Sequence, residues 1–307
     1  MSKRYAAGFI SAFYNPLKNP DAPTIGTATG GIASASVTFT APVNVGGGAI
    51  TGYSIVAIKT SDGSTTVTSG ASSPISVSGL AGTAYTFKVF ATNSYGPSPL
   101  SAASNSVTPL VIGGALGGGF FAGQIGVSGV ATHNLVVGPK SSAQNASITW
   151  KNANTGPAVG NSVIDGPQNT ADIVADGNST VYPAAHFCNN LVIGGFSDWY
   201  MPAQNELEVC YYNLKPTTTS NDTSSGTNSN AVPTRVNNYT AGNPAQTSAT
   251  DFQSGGTEAY TANYYWSSTQ FQYSVTGANI QIFSTGAQSS YGKAYSWNVR
   301  AIRRVAV

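Results

Sequence analysis

Charge is scarce in this chain. Of 307 residues only 8% are Asp, Glu, Lys or Arg, against about 25% in typical soluble domains. Ser, Thr, Asn and Gln must therefore wet the surface, and copies of the chain repel one another weakly, which favours a homo-oligomer. A net charge of +2 offers no field for nucleic acid or an anionic membrane. Cysteine is nearly missing: Cys188 and Cys210 are too few for a disulfide-dense scaffold. Histidine stops at His133 and His186. With no His-Glu-x-x-His spacing and no acidic cluster, neither a metal nor a cofactor is expected.

The longest uncharged apolar stretch, Leu110–Val127, has the length of a membrane span. Seven of its eighteen residues are glycine, which weakens an isolated helix, so no span is expected. The first residues lack a long apolar core and a cleavage site, and no signal peptide is read there. Catalytic signatures are also wanting. There is no Gly-x-Ser-x-Gly elbow. Between Gly286 and Gly292 lie five residues instead of the four of a phosphate loop, and Ala294 stands where Ser or Thr would bind magnesium. Gly117-Gly118-Gly119-Phe120-Phe121-Ala122 matches a dinucleotide fingerprint only formally, without a βαβ unit around it. No enzyme is expected.

What the chain does have is strand signal. Residues 1–19 form a leader whose Phe9, Phe13 and Tyr14 are expected to attach it to a neighbour. From 20 to 109, short alternating runs are separated by turn residues, as in a β-sandwich. Ser36–Thr40, Ile50–Ile58, Thr65–Thr68 and Ser104–Val107 are such runs. Another puts Tyr85, Phe87, Val89 and Ala91 on one face. Residues 110–118 read as a Gly-rich linker. Beyond it, apolar residues at helical spacing predict helices in Tyr182–Leu191 and Ala203–Leu214, the second with Leu207, Cys210, Tyr211 and Leu214 on one face. Lys215–Gln253 reads as a long polar surface loop. Strands return at Tyr264–Trp266, Asn279–Phe283 and Trp297–Val307. Cys188 and Cys210 fall on apolar helix faces and read as structural.

Two resemblances follow. APVNVGGGAITGY and GLAGTAYTFKVFATNSYGPSPLSAASNSVTP resemble the fibronectin type III family. That implies a sandwich over 20–109 with Phe39 in its core and Tyr85 as the tyrosine corner. GGFSDWYMPAQNELEVCYYNL, YYWSST and VRAIRRV occur in that order and resemble the C-type-lectin-like C-terminal domains of collagen-like bacterial adhesins. That implies an α+β domain over 119–307, with Trp199 and Trp266 in its core and Arg300, Arg303 and Arg304 facing Asp198, Glu206 or Glu208. The calcium-lectin signature is absent, and Ala301 stands where such domains often carry a cysteine.

The expected architecture is thus multidomain: an all-β sandwich plus an α+β lectin-like domain. In lectin-like domains Gln270–Trp297 would form the ligand-facing stretch. Within it Gln270, Phe271, Gln272, Tyr273 and Tyr291 are the candidate binding residues, because aromatic faces among adaptable polar groups suit glycans and protein epitopes. The pairing resembles bacteriophage virion proteins. It implies a virion appendage or decoration protein, assembled in a host cytoplasm, whose partners are other virion proteins, its own copies and a host-surface glycan or protein. The alternatives are a bacterial surface adhesin or extracellular filament subunit and, third, a lectin-fold enzyme.

Overall fold

The computed structural model describes residues 17–156 and 159–307. Phe9, Phe13 and Tyr14 lie outside the described residues. The chain divides between Val111 and Ile112 into two compact units, each with its own core.

The first unit is a two-sheet sandwich. Its strands are β1 (Thr24–Gly31), β2 (Ser34–Thr40), β3 (Ile50–Lys59), β4 (Thr65–Gly70), β5 (Ile75–Ser78), β6 (Tyr85–Asn93) and β7 (Gly96–Pro97). One sheet runs β1-β2-β5 and the other β4-β3-β6-β7. Period-two alternation decides which side chains turn inward. Val37, Ile55, Val77, Phe87 and Val89 are wholly buried, and each such side chain contributes about 1.5–3 kcal/mol.

Beyond β7 the chain follows the edge of β6 without forming a regular strand. Ser98, Ser101 and Ser104 donate their N–H groups to the carbonyls of Ala91, Val89 and Phe87. Their hydroxyls accept from the N–H groups of the same three residues, each at 3.0 Å. One serine thus satisfies both main-chain groups of its partner, and an otherwise open sheet edge is closed.

Among the described residues the second unit holds two sheets, four α-helices and a short 3-10 turn at Thr250–Phe252. Its strands are β8 (Ala115–Leu116), β9 (Gly119–Val127), β10 (Val130–Val137), β11 (Gln144–Thr149), β12 (Ala231–Val232), β13 (Tyr264–Gln270), β14 (Gly277–Ile282), β15 (Gln288–Gly292), β16 (Ser296–Arg300) and β17 (Ile302–Ala306). One sheet runs β12-β9-β10-β17, with β8 on β9; the other runs β11-β16-β13-β14-β15. The helices are α1 (Lys140–Ala143), α2 (Gly166–Asp176), α3 (Pro183–Asn189) and α4 (Gln204–Leu214). Leu207, Cys210, Tyr211 and Leu214 of α4 are buried as their spacing predicted, in a core with Tyr265 and Phe283. A second core gathers Trp150, Trp199 and Trp266 against Ile173 of α2 and Cys188 of α3. Among the described residues no helix is long and apolar enough to cross a membrane.

Four expectations are corrected. The glycine-rich stretch is not a linker from 112 onward. Gly113 N–H donates to Phe121 O, and Ile112 packs on the core. Gly113 and Gly117 have φ of +77° and +50°, and a Cβ would meet Ala249 at 2.5 Å and Arg303 at 2.4 Å; glycine density here reflects close approach, not freedom.

Lys215–Gln253 is no loose surface loop either. Lys215 is 1% exposed, and its ammonium donates to Thr219 O, Asn221 Oδ1 and Pro244 O at 2.6, 2.7 and 3.2 Å. Tyr239 and Phe252 reach the core.

The terminal run is two strands. At buried Ala301 the chain leaves one sheet for the other.

The charge pairing also differs in part. Arg303 meets Asp198 (2.7 Å) and Arg304 meets Glu206 (2.8 Å) as expected. Arg300 instead takes Glu258 at 2.5 Å, and Glu208 pairs with Arg235 of the long segment. Glu208 also accepts from Tyr239 Oη at 2.6 Å and Asn228 Nδ2 at 2.5 Å.

Candidate functional site

The sheet face under α4 changes character along its length. Asn279 lies opposite Ser290, and Gln281 opposite Gln288, so these share a face with Tyr265, which is paired to Gln281. At one end Tyr265 and Phe283 enter the apolar core. At the other end the side chains turn polar and a cleft of about 530 Å³ opens, within the range of about 300–1,000 Å³ usual for small-ligand sites.

Asn161, Gln204, Gln272, Asn279 and Gln288 bring carboxamides to the cleft; Gln270 borders it, but its pairing with Ala278, itself paired with Tyr291, turns its side chain to the other face of the sheet. Thr269 and Ser290 add hydroxyls, and Val163 and Phe271 form its apolar part. No lining residue carries a charge. Several of these groups are fixed in place. Gln204 opens α4; its N–H donates to Thr269 Oγ1 at 3.0 Å and its Oε1 accepts from Asn279 Nδ2 at 2.6 Å. Thr269 Oγ1 donates onward to Ser162 O at 2.8 Å. On the other face of the sheet buried Lys293 donates to Gln270 Oε1 at 2.6 Å. A bed of oriented amides and hydroxyls beside one aromatic ring can bond hydroxyl-rich ligands. Its described lining holds no carboxylate, imidazole or thiol.

Of the residues read from the sequence, Gln270, Phe271 and Gln272 border this cleft, the first with its side chain turned away. Tyr273 is 80% exposed and stands edge-on to Phe271, centroids 5.4 Å apart. Tyr291 is not with them. Its neighbour Ser290 faces the cleft, so strand alternation turns Tyr291 to the opposite side. There it packs on Tyr264, Tyr295 and Trp297 at 5.4, 5.9 and 5.4 Å. Sequence reasoning missed Asn161, Val163 and Gln204, which come from far away in the chain. Asn279 and Ser290 lay inside the expected stretch, but only the strand register singles them out.

The other reactive groups stand apart. Cys188 and Cys210 are free and buried; burial pushes the Cys210 thiol up to about 12 and Cys188 higher still. His186 Nε2 lies 2.7 Å from Gly177 O. His133 lies with Asp165 and Arg304 in a smaller cleft of about 190 Å³, where burial and then Arg304 lower its pKa. Among the described residues no group of His, Cys, Asp and Glu could hold a metal ion.

A family model described as the fibronectin type III domain matches residues 21–107. These residues are a fibronectin type III domain. In this domain the Tyr85 hydroxyl accepts from Ala81 N–H at 3.3 Å, the tyrosine corner of such sandwiches, and Phe39 is buried beside Tyr53.

Among solved structures the chain is similar to the twitchin kinase region from C. elegans, with 22% identity and a TM-score of 0.29 over 30% of this chain and 17% of that one. It is similar to titin kinase and its flanking domains at 18% identity, with a TM-score of 0.28 over 39% and 27%. For chicken CNTN1 FN1–FN3 domains the figures are 18%, 0.25, 29% and 32%. The chain spans less than a third of the length of each of these three. No curated protein matches it.

Proposed function

We propose that the second unit is a C-type-lectin-like domain that binds an uncharged saccharide in the cleft at the start of α4. The fibronectin type III domain would serve as its spacer, in an appendage of a virion that contacts the host surface. The observation that carries the binding reading is the cleft lining: carboxamides of Asn161, Gln204, Gln272, Asn279 and Gln288 and hydroxyls of Thr269 and Ser290 around Phe271 and Val163, without a charge. Sugar hydroxyls both donate and accept, and carboxamides answer both needs. The ring of Phe271 suits the apolar face of a pyranose. Because the calcium-lectin signature is missing, binding should not need calcium. The virion setting is supported by the sequence resemblance and by the charge-poor composition.

The test is a glycan array probed with the full chain, then titration of the strongest neutral oligosaccharide. Phe271→Ala and Gln204→Ala should each weaken binding about tenfold, the equivalent of 1.4 kcal/mol, and chelation of divalent ions should change nothing. Retention of no glycan, or equal binding by both folded variants, would overturn the reading.

A further inference from the structure

The aromatic surface of the cleft does not end at Phe271. Two residues on, Tyr273 stands against it, with ring centroids 5.4 Å apart and ring planes inclined at 73°. Tyr273 is 80% exposed. A lone exposed tyrosine carries no message, but this one follows two residues that line the cleft and touches the only aromatic ring in its described lining.

The turn that carries Tyr273 is closed by its own main chain. Phe271 N–H donates to Gly277 O at 3.1 Å, Ser274 N–H to Phe271 O at 3.2 Å and Gly277 N–H to Ser274 O at 3.1 Å. The hydroxyls of Ser274 and Thr276 bond each other at 2.8 Å. Tyr273 is thus mounted on an ordered turn, and a tyrosine held in this way offers a large contact area for little loss of side-chain freedom.

The angle between the rings says what could lie on both. A pyranose rests its apolar C–H face on an aromatic ring, so one sugar unit on Phe271 leaves Tyr273 for the next. In a flat ribbon such as cellotriose, equatorial linkages keep successive units nearly in one plane. Such a chain cannot stack on two rings inclined at 73°. In maltotriose the axial bond at each anomeric carbon turns every unit against the one before, and such a chain can follow both rings.

We propose that Tyr273 is a second sugar subsite, and that the ligand is an α-linked oligosaccharide of at least two units, one on Phe271 and the next on Tyr273. This rests on the saccharide reading. The carboxamides and hydroxyls belong to the cleft itself, so the first unit supplies the hydrogen bonding and the second decides the linkage.

The experiment uses the glycan array above, with α-linked and β-linked oligomers of glucose and mannose beside their monosaccharides. It is probed with the full chain and with Tyr273→Ala, Tyr273→Phe and Phe271→Ala, and the best oligomer and its monosaccharide are then titrated by calorimetry. The native chain should hold the α-linked oligomer about tenfold more tightly than the monosaccharide or the β-linked counterpart. Tyr273→Ala should reduce the oligomer to the level of the monosaccharide and leave the monosaccharide unchanged. Tyr273→Phe should keep the gain, because the ring is what stacks, and Phe271→Ala should weaken both ligands. A folded Tyr273→Ala chain that binds the oligomer as the native chain does would overturn the second subsite while the saccharide reading stands. β-Linked oligomers held as well as α-linked ones would overturn the choice of linkage. If other glycans are held but no glucose or mannose oligomer is, the inference falls alone; a blank array sinks the saccharide reading with it.

Discussion

The two units use the same polar, charge-poor alphabet for different purposes. In the fibronectin type III domain, polar side chains serve the main chain. Ser98, Ser101 and Ser104 close the edge of β6, and Asn105 bonds both main-chain groups of Ala28 at 2.9 Å. Its ion pairs, Lys18–Asp21 and Lys59–Asp62, join residues three apart in open solvent, where such pairs contribute little. In the second unit, charges are buried and their partners are remote. Arg300 reaches Glu258, Arg235 reaches Glu208 and Arg304 reaches Glu206. An apolar sandwich needs polar groups only to finish its backbone bonding. A core that must hold long irregular segments in one place uses paired charges as anchors, and it should fail badly when one partner goes.

The sharpest way to break this comparison is Arg300→Met. The guanidinium is fully buried, and it donates to Gly138 O at 2.9 Å, Glu258 O at 2.7 Å and Glu258 Oε2 at 2.5 Å. Methionine fills the volume but takes a donor from each of two carbonyls and the charged partner from the Glu258 carboxylate, on which Lys140 N–H remains at 2.7 Å. The expected loss is about 3–5 kcal/mol. Hydrogen exchange read by mass spectrometry should show peptides of 112–307 losing protection while those of 21–107 keep theirs. Equal loss in both would mean that the two cores do not act separately.

A smaller effect should follow from Ser101→Ala in the sandwich. Ser101 Oγ accepts from Val89 N–H at 3.0 Å and donates to Ala102 O at 2.7 Å. Without it a buried N–H goes unpaired, at a cost of about 1–3 kcal/mol. Here protection should fall in β6 and its neighbours and stay unchanged beyond Val111. An unchanged β6 would show that water replaces the hydroxyl and that the serine ladder is dispensable.

The same contrast explains what could be read from the sequence. Strict alternation in β2 and β6 gave away the sandwich core, because period two has one structural meaning there. Leu207, Cys210, Tyr211 and Leu214 marked α4 in the same way. Helix α2 escaped because its buried face includes Asn169 and Thr170, which are bonded rather than apolar. Its signals were Asp165 as N-cap and Pro167 in the first turn. Glycines at 113–119 misled because glycine marks both slack chain and close contact. Lys215–Gln253 misled because its order comes from Lys215, Asn221 and Asn228 bonding inward, and composition cannot tell an inward asparagine from an outward one. Three of the residues that border the cleft were visible as Gln270–Gln272. The rest needed the strand register and the topology that brings Asn161 and Gln204 beside β14.

The mildest test uses pH, and the two units should answer it with opposite signs. In the sandwich the partly exposed Lys59 has its pKa raised above 10.5 by the hydrogen bond and the charge of Asp62. Its small contribution is complete below 10.5 and disappears as pH rises through the raised value. In the second unit Lys293 is held down to about 8 by burial and by Lys151. Below about 8 the folded and unfolded chains both carry its proton, and above 10.5 neither does. Between these values the unfolded chain binds more protons, so stability increases with pH. Going from about pH 7 to about pH 9.5 should therefore raise the unfolding midpoint of the second unit by about 2–4 °C relative to the same unit carrying Lys293→Met, as expected for about 1 kcal/mol in a unit of this size, while the raised thiols of Cys188 and Cys210 pull both proteins the other way. The sandwich should gain nothing over the same range. Lys293→Met removes the titrating group and should flatten the rise. If the variant shows the same rise as the native chain, another group is responsible, and the buried lysine behind the cleft does not titrate in this range.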